Sequence, residues 1–356
     1  MDDPIRQWSE RIRDAAATGQ ALCPRGGGTK AFYGRPAVGE VLDTRGYQGI
    51  VNYEPSELVV TVRAGTALAD LEAAVAEQGQ MLAFEPPRFA AGGTVGGCIA
   101  AGLAGPRRAT AGGVRDFILG VCLIDGRGEV LHFGGEVMKN VAGYDVSRVL
   151  TGSLGSLGLL ARVSLKVLPR PVAEASLRFS MDEAAALRQL NLWGGQPLPI
   201  SASAWHRGEL SLRLSGAAAA VDAAIARLGG KRLSDGDAEA FWTGLRDHTA
   251  AFFAVRTGEN LWRLSLPSDA PPLELDGSQL VEWGGAQRWL WTGAAPWDLR
   301  ARVAGLGGHA TLFRHDGRCG EVFHPLPAPL FKLQRNLKNA FDPAGILSPG
   351  RLYEGL

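Results

Sequence analysis

The residues of this 356-residue chain with the clearest chemical capacity are clustered glycines. The first cluster is Pro24-Arg25-Gly26-Gly27-Gly28-Thr29-Lys30. Three consecutive glycines let the backbone take positive φ and turn successive N–H groups toward one anion; a flexible turn would usually need only one. The second is Gly92-Gly93-Thr94-Val95-Gly96-Gly97, followed by small residues from Cys98 to Gly105. Thr94 can cap a helix start, where free N–H groups and partial positive charge suit a phosphate. Gly96, Gly97, Ala100, Ala101 and Gly102 leave no bulk on that helix, so a ligand or a sheet must lie close against it. The third runs Lys139-Asn140-Val141-Ala142-Gly143-Tyr144-Asp145 and then Thr151 to Leu160, with Gly152, Gly155 and Gly158 three apart. It reads as a sharply turning loop that enters a strand over 159–168.

Other nucleotide motifs are missing. There is no GxxxxGK[ST], and no GxGxxG lies between a strand and a helix, so neither a P-loop nor a Rossmann site is supported. Separate glycine loops closing on one ligand fit a long molecule with a central diphosphate, such as FAD.

The elements that must position these loops follow from composition and pattern. Glycine and tryptophan divide the chain. Of the 48 glycines 27 precede residue 171, whereas eight of the nine tryptophans follow it. Pro169-Arg170-Pro171 falls at the break and stops the preceding strand. Before it, Leu58–Arg63 is a β-branched strand, and Thr66 is the expected cap of a helix with Leu68, Leu71 and Val75 inward, stopped by Gly79. Asp125-Gly126-Arg127-Gly128 marks a hairpin between strands 117–124 and 129–133. Ala161, Val163, Leu165 and Val167 alternate with polar residues, as in a half-buried strand. After the break come a strand (173–179), helix (182–192), two strands (200–205 and 209–214) and helix (217–228), then a looser version of that order. This implies an antiparallel sheet with helices on one face. From about Pro327 the chain returns to helix, with Leu330, Leu333, Leu337 and Phe341 on it, and ends in FDPAGILSPGRLY.

Charge and cysteine content exclude several classes. Lys+Arg of 37 against Asp+Glu of 36 gives +1, too little for a general nucleic-acid binder. Cys23, Cys98, Cys122 and Cys319 form no CxxC pair, so this chain cannot ligate an iron–sulfur cluster alone, and they read as reduced thiols. The N-terminus lacks the apolar core of a secretory signal, and no stretch approaches a membrane span. A cytoplasmic protein is expected, with no direct membrane insertion.

The segments RGGGTK, GGTVGG, RRATAGGVRDFILG and KNVAGYDVSRVLTGSLGSLG, with FDPAGILSPGR at the end, resemble the vanillyl-alcohol-oxidase-type (PCMH-type) FAD-binding family, and within it the glycolate-oxidase FAD subunits. The likeness is strong over residues 20–170 and moderate over 305–356, with the motifs in family order. It implies an α+β protein: a PCMH-type two-subdomain FAD domain (1–170), an antiparallel-sheet cap (171–320) and a C-terminal helical arm (321–356) returning to the FAD domain. Arg25, Gly26, Gly27, Gly28 and Thr29 would line the diphosphate from one side, and Gly93, Thr94 and Gly97 from the other. Thr110, Gly112, Gly113 and Arg108 would lie near the flavin dinucleotide, and Gly158 and Leu160 would reach the adenine side through the backbone. The position of the histidine that some relatives bond to flavin falls here in a glycine run, so the FAD is expected to be non-covalent.

Two departures stand out. Catalytic relatives carry a histidine set near the C-terminus that helps bind a metal and the hydroxy acid. Here His309, His315 and His324 lack its spacing and its acid, so they are read as surface or core histidines with no metal. The relatives' closing Asn-Pro-Gly, whose Asn reaches the flavin, is Ser348-Pro349-Gly350 here, and the shorter side chain puts that contact in question. The later tryptophans fit core packing, a substrate pocket or a subunit interface. The resemblance therefore implies an FAD subunit of a complex that oxidises glycolate or a similar 2-hydroxy acid, with a sister flavin subunit, an iron–sulfur subunit taking the electrons, and docking at the inner membrane only through partners. The catalytic base is unassigned. A non-catalytic structural subunit is the alternative, and a stand-alone FAD oxidase of another alcohol a third.

Overall fold

A five-stranded antiparallel sheet runs in the order Ile50–Glu54, Val59–Arg63, Leu159–Lys166, Ile118–Ile124, Val130–Gly134 in the computed structural model, which describes residues 2–135, 145–315 and 320–356. Lys139 to Tyr144 of the third glycine cluster, Asp316 and Cys319 lie outside the described residues. The sheet belongs to the first of two compact units, made of residues 1–103, 113–169 and 325–356; residues 104–112 and 170–324 form the second. A single cut at residue 170 does not anticipate that 104–112 joins the second unit.

Local physics accounts for the first unit's elements. Leu159–Lys166 is buried at every position except Arg162 and Lys166, more than the alternation implied, because it lies between two strands. Leu68, Leu71 and Val75 turn inward on the helix Leu68–Glu77, but Ala67, not Thr66, holds the cap position. The Thr66 hydroxyl instead donates to the Arg63 carbonyl (2.7 Å) and accepts from Gly49 N–H (2.8 Å), tying the end of one strand to the residue before its neighbour. In the 125–128 turn the Asp125 carboxylate accepts from the N–H groups of Arg127 (2.8 Å) and Glu129 (2.9 Å), a side chain standing in for a backbone turn.

The C-terminal arm departs from its apolar pattern. Leu330 and Leu333 of the helix Ala328–Phe341 are exposed, and the residue it buries is Lys338. The Lys338 ammonium donates to the carbonyls of Ser156 (2.7 Å) and Leu347 (2.6 Å) and to Asp342 Oδ2 (2.7 Å). Asp342, fully buried, also accepts from the N–H groups of Ile346 and Leu347. Leu22 N–H donates to Ile346 and Ser348 N–H to Leu22, so the arm is laced to the strand that leads into the first glycine cluster.

The second unit is built on an eight-stranded antiparallel sheet ordered Lys231–Arg232, Ala173–Ser180, Glu209–Gly216, Ile200–His206, Ser278–Glu282, Gln287–Thr292, Asn260–Ser265, His309–Arg314. The first four strands and the last four follow the same chain path and meet back to back, as a two-fold axis between Ile200–His206 and Ser278–Glu282 would relate them. This is the looser repeat seen in sequence: residues 266–277 replace the helix that the first half carries. The helices Glu183–Gly194, Ala218–Leu228 and Pro296–Gly305 pack on one face through Leu177, Leu212, Trp262 and Leu290. The helix Asp235–Asp247 is on the other face, where Trp242 Nε1 donates to Ser176 Oγ (2.8 Å), so helices are not confined to one side. Most of the tryptophans pack in this unit's core. Trp193, Trp242, Trp262, Trp283, Trp289 and Trp291 are buried, while Trp297 is 72% exposed.

Buried polar groups in both units generate predictions. His248 ends the helix Asp235–Asp247 with φ +56° and stacks on Phe253 (centroids 3.8 Å apart); burial holds its pKa well below the usual 6.5. Burial lowers His206, His309 and His324 in the same direction. The unfolded chain therefore takes up protons before the folded one does. Stability should be intact above about pH 6.5 and fall as the pH drops below it. His248→Asn, which keeps a residue tolerant of left-handed φ, should flatten that decline by up to about 1.4 kcal/mol per pH unit in urea titrations. Lys338→Met strands the buried Asp342 carboxylate and should cost about 3–5 kcal/mol in the same assay.

Candidate cofactor-binding site

The site forms where glycine leaves no room for a side chain. A Cβ on Gly27 would stand 1.6 Å from the Gly92 carbonyl oxygen, and one on Gly26 would stand 2.1 Å from Thr94 Oγ1. The first two glycine clusters thus touch backbone to backbone. The third closes on the same place from another side, with Gly152 N–H donating to Ile99 (3.1 Å) and Leu154 N–H to Ala100 (2.9 Å). A Cβ on Gly102 would lie 3.0 Å from Gly152 N.

Between these segments is a cleft of about 240 Å³ lined by residues 23–31, Thr94, Gly97, Ala100, Ala101, Leu154 and Arg351 among others. It is smaller than a typical whole-ligand pocket, so it suits one portion of a long molecule. Among the described residues its charged lining residues are Arg25, Lys30 and Arg351, with no acid. The N–H groups of Gly26, Gly27, Gly28 and Thr29 donate to no protein acceptor among the described residues. Consecutive unspent N–H groups beside three cations form a binding place for a di-anion such as a diphosphate. Gly28 takes φ +70°, and a Cβ there would meet the Arg25 guanidinium at 2.7 Å, so this glycine lets Arg25 fold over the loop.

The helix that follows Thr94 is Val95–Ala101, only seven residues long, and Thr94 Oγ1 accepts from Gly97 N–H (3.2 Å) as its cap. Gly96 serves packing: a Cβ would stand 2.7 Å from that of Ala64. Cys98, on the same helix, is fully buried and its thiol is pushed up to about 11 by desolvation. Cys23 lines the cleft, and Cys23, Cys98 and Cys122 are free thiols.

Two charged lining residues were absent from the sequence-derived site. Lys30, 9% exposed, holds its ammonium 5.6 Å from the Phe89 ring centroid. Its signal was its place at the end of RGGGTK. Arg351, its pKa lowered by burial, donates from Nη2 to the carbonyls of Ala31 (2.9 Å) and Tyr33 (2.7 Å), and Nη1 donates to Arg35. Its signal was the closing SPGR. Ser348, three residues earlier, takes φ +43°, is buried against Gly155 and has no partner for its hydroxyl among the described residues; it does not line the cleft.

The remaining expected residues sit elsewhere. Gly93 packs beside Thr29, where a Cβ would lie 3.2 Å from Thr29 Oγ1. Gly113 N–H donates to Asp116 Oδ2 (2.8 Å). Gly158 lies against Leu123, and Leu160 faces Leu123 across the five-stranded sheet. Arg108, Thr110 and Gly112 belong to the second unit, where Thr110 Oγ1 donates toward the Ser201 carbonyl (3.1 Å) and Arg108 stacks over Trp283 at 4.6 Å. His309 and His324 are 6.5 Å apart by ring centroids, with His324 Nδ1 accepting from Ala310 N–H (3.4 Å). The described residues contain no group of three or more His, Cys, Asp or Glu side chains placed to hold a metal. No helix among them is long and apolar enough to cross a membrane.

Comparison with known proteins agrees with this geometry. A family model described as an FAD binding domain matches residues 5–134. The fold is shared with the solved structure of alkyldihydroxyacetonephosphate synthase at a TM-score of 0.65 and 15% identity, over 97% of this chain and 75% of that one. The matched FAD binding domain and the glycolate oxidase subunits described next show an FAD-dependent oxidoreductase on the PCMH-type FAD-binding fold. The chain is 47% identical over 348 residues to the glycolate oxidase subunit GlcE of Escherichia coli (strain K12), spanning 98% of this chain and 97% of that protein. It is 30% identical over 158 residues to the glycolate oxidase subunit GlcD of Bacillus subtilis (strain 168), 44% of this chain and 33% of that one. This chain belongs to the family of the glycolate oxidase subunit GlcE.

The interlock yields a direct test. Gly27→Ala would place a methyl group on the Gly92 carbonyl oxygen. The variant should be purified with its flavin lost, read as the ratio of visible to protein absorbance, because the two loops can no longer close. The collision is with protein backbone, so even alanine should be enough.

Proposed function

We propose that this chain is the FAD-holding subunit of a multi-subunit complex that oxidises glycolate, or a similar small 2-hydroxy acid, to the 2-oxo acid. The observation that carries this reading is the convergence of the glycine-rich segments on a cleft with three cations, no acid and four unspent N–H groups. The likeness to GlcE along nearly the whole chain supports glycolate as the substrate class and a complex as the working form.

In this reading Arg25, Lys30 and Arg351 neutralise the diphosphate of FAD, and the N–H groups of Gly26 to Thr29 donate to its oxygens. Thr94 and Gly97 form the opposing wall, and Gly93 joins them on the resemblance alone. FAD, held non-covalently, supplies the hydride acceptor. Arg108, Thr110, Gly112, Gly113, Gly158 and Leu160 are further flavin contacts on the resemblance alone. The catalytic base is assigned to no residue here, and substrate chemistry is shared with the sister flavin subunit. Electrons leave to an iron–sulfur subunit, and the complex works in the cytoplasm, at the inner membrane through its partners.

The chain purified with its partners should carry flavin that is released by denaturation, as a non-covalent cofactor must be. Glycolate should bleach that flavin in the complex, and a sister flavin subunit and an iron–sulfur protein should co-purify with it. A chain that remains colourless after co-expression would overturn the cofactor role. Retained flavin that glycolate never reduces would favour the structural alternative.

A further inference from the structure

The segment 104–112 carries Arg108, Thr110 and Gly112, all expected near the flavin, yet it belongs to the second unit while its neighbours Leu103 and Gly113 belong to the first. Its only regular element is Arg108–Ala111, a helix of four residues. So short a helix has no stability of its own, so side chains outside it decide where Arg108 and Thr110 stand.

Those side chains come from distant parts of the second unit. Trp283 Nε1 donates to the Gly105 carbonyl (3.1 Å), which also accepts from Arg108 N–H (3.1 Å). One oxygen thus starts the turn into the helix and fastens it to the indole. The Arg108 guanidinium then lies over the same indole, 4.6 Å from the ring centroid. Arg107, 7% exposed, donates from Nη2 to Glu174 Oε1 (2.5 Å), and Ser215 Oγ donates to that oxygen too. Burial would raise the Glu174 pKa, but the hydrogen bonds from Ser215 and Arg107 outweigh it and hold it below its usual value, so the pair is charged.

The backbone at Trp283 sets these ties apart from ordinary packing. Trp283 takes φ +54°, followed by Gly284 at +66° and Gly285 at +106°. Left-handed backbone at a bulky residue persists only where its surroundings enforce it, and such strain collects at ligand clamps and active sites. Gly284 N–H donates to Ser203 Oγ (3.0 Å), which pins the turn to strand Ile200–His206 and aims the indole N–H at Gly105.

We infer that Trp283 and Glu174 are positioning residues for the flavin: through Gly105 and Arg107 they fix the segment that presents Arg108, Thr110 and Gly112 to the dinucleotide. This rests on the flavin role proposed above, and it makes FAD affinity depend on residues that act only through the segment.

Fluorescence titration of the full chain with FAD, after its bound flavin is removed, tests this. Trp283→Phe keeps an aromatic ring but loses the N–H that holds Gly105. Glu174→Gln keeps a partner for Ser215 but loses the charge facing Arg107; Glu174 is half-exposed, so this variant keeps the test open if the Trp283 variant unfolds. Each folded variant should raise the FAD dissociation constant by about threefold or more. Arg107→Gln should match Glu174→Gln, and the double variant should bind FAD no more weakly than either single one, because the two residues act as a unit. A role in stability alone would lower the melting temperature and leave the dissociation constant at its wild-type value. That result in either folded variant would overturn the inference, whereas a wild-type chain that binds no FAD would sink the flavin reading itself.

Discussion

Contact between two backbones without intervening side chains is the constraint on which the cofactor site depends. Gly27 against the Gly92 carbonyl and Gly26 against the Thr94 hydroxyl bring the two loops closer than any Cβ would permit. That approach leaves the N–H groups of Gly26 to Thr29 open to a ligand and sets Arg25 and Lys30 beside them. The same glycines would be costly in a chain with nothing to hold, since glycine loses the most conformational freedom on folding. The interlock explains why the loops tolerate that cost: they are ordered by each other, and their surplus hydrogen-bonding capacity faces the cleft.

The C-terminal arm completes this arrangement through polar rather than apolar contacts. Lys338, Asp342 and the carbonyls of Ser156 and Leu347 form a buried cluster in which both charges are paired. Such a cluster contributes specificity of position, because any shift of the arm leaves a buried charge unpaired. Its effect is felt at the cleft: the arm delivers Arg351, whose guanidinium ties down the carbonyls of Ala31, Tyr33 and Arg35 just beyond the first glycine loop.

The second unit uses a repeat in another way. Its two half-sheets follow one chain path and join at a short antiparallel seam, and the second half carries residues 266–277 where the first carries a helix. Beside that seam lies the strained turn at Trp283. Arg288, fully buried, fastens the replacing segment by donating to the carbonyls of Pro271 and Ala270.

Much of this was legible in the sequence, and the misses have physical causes. Strands and helices emerged close to their bounds because β-branched runs and apolar spacing report burial locally, as in Leu68, Leu71 and Val75. Thr66 failed as a cap because its hydroxyl bonds the Arg63 carbonyl and the Gly49 N–H instead. Leu330 and Leu333 lie on the expected helix but stay exposed, since helical periodicity says a face is apolar, not that anything covers it. Sequence by itself determined where the backbone can approach a neighbour or a ligand with no side chain between, since glycine's missing Cβ acts at the level of the single residue. Only the tertiary structure decided which loops meet, that Lys30 and Arg351 join Arg25, and that residues 104–112 belong with the second unit. Those outcomes are set by approaches between residues far apart in the chain, where steric exclusion and charge pairing depend on distances that no local pattern encodes.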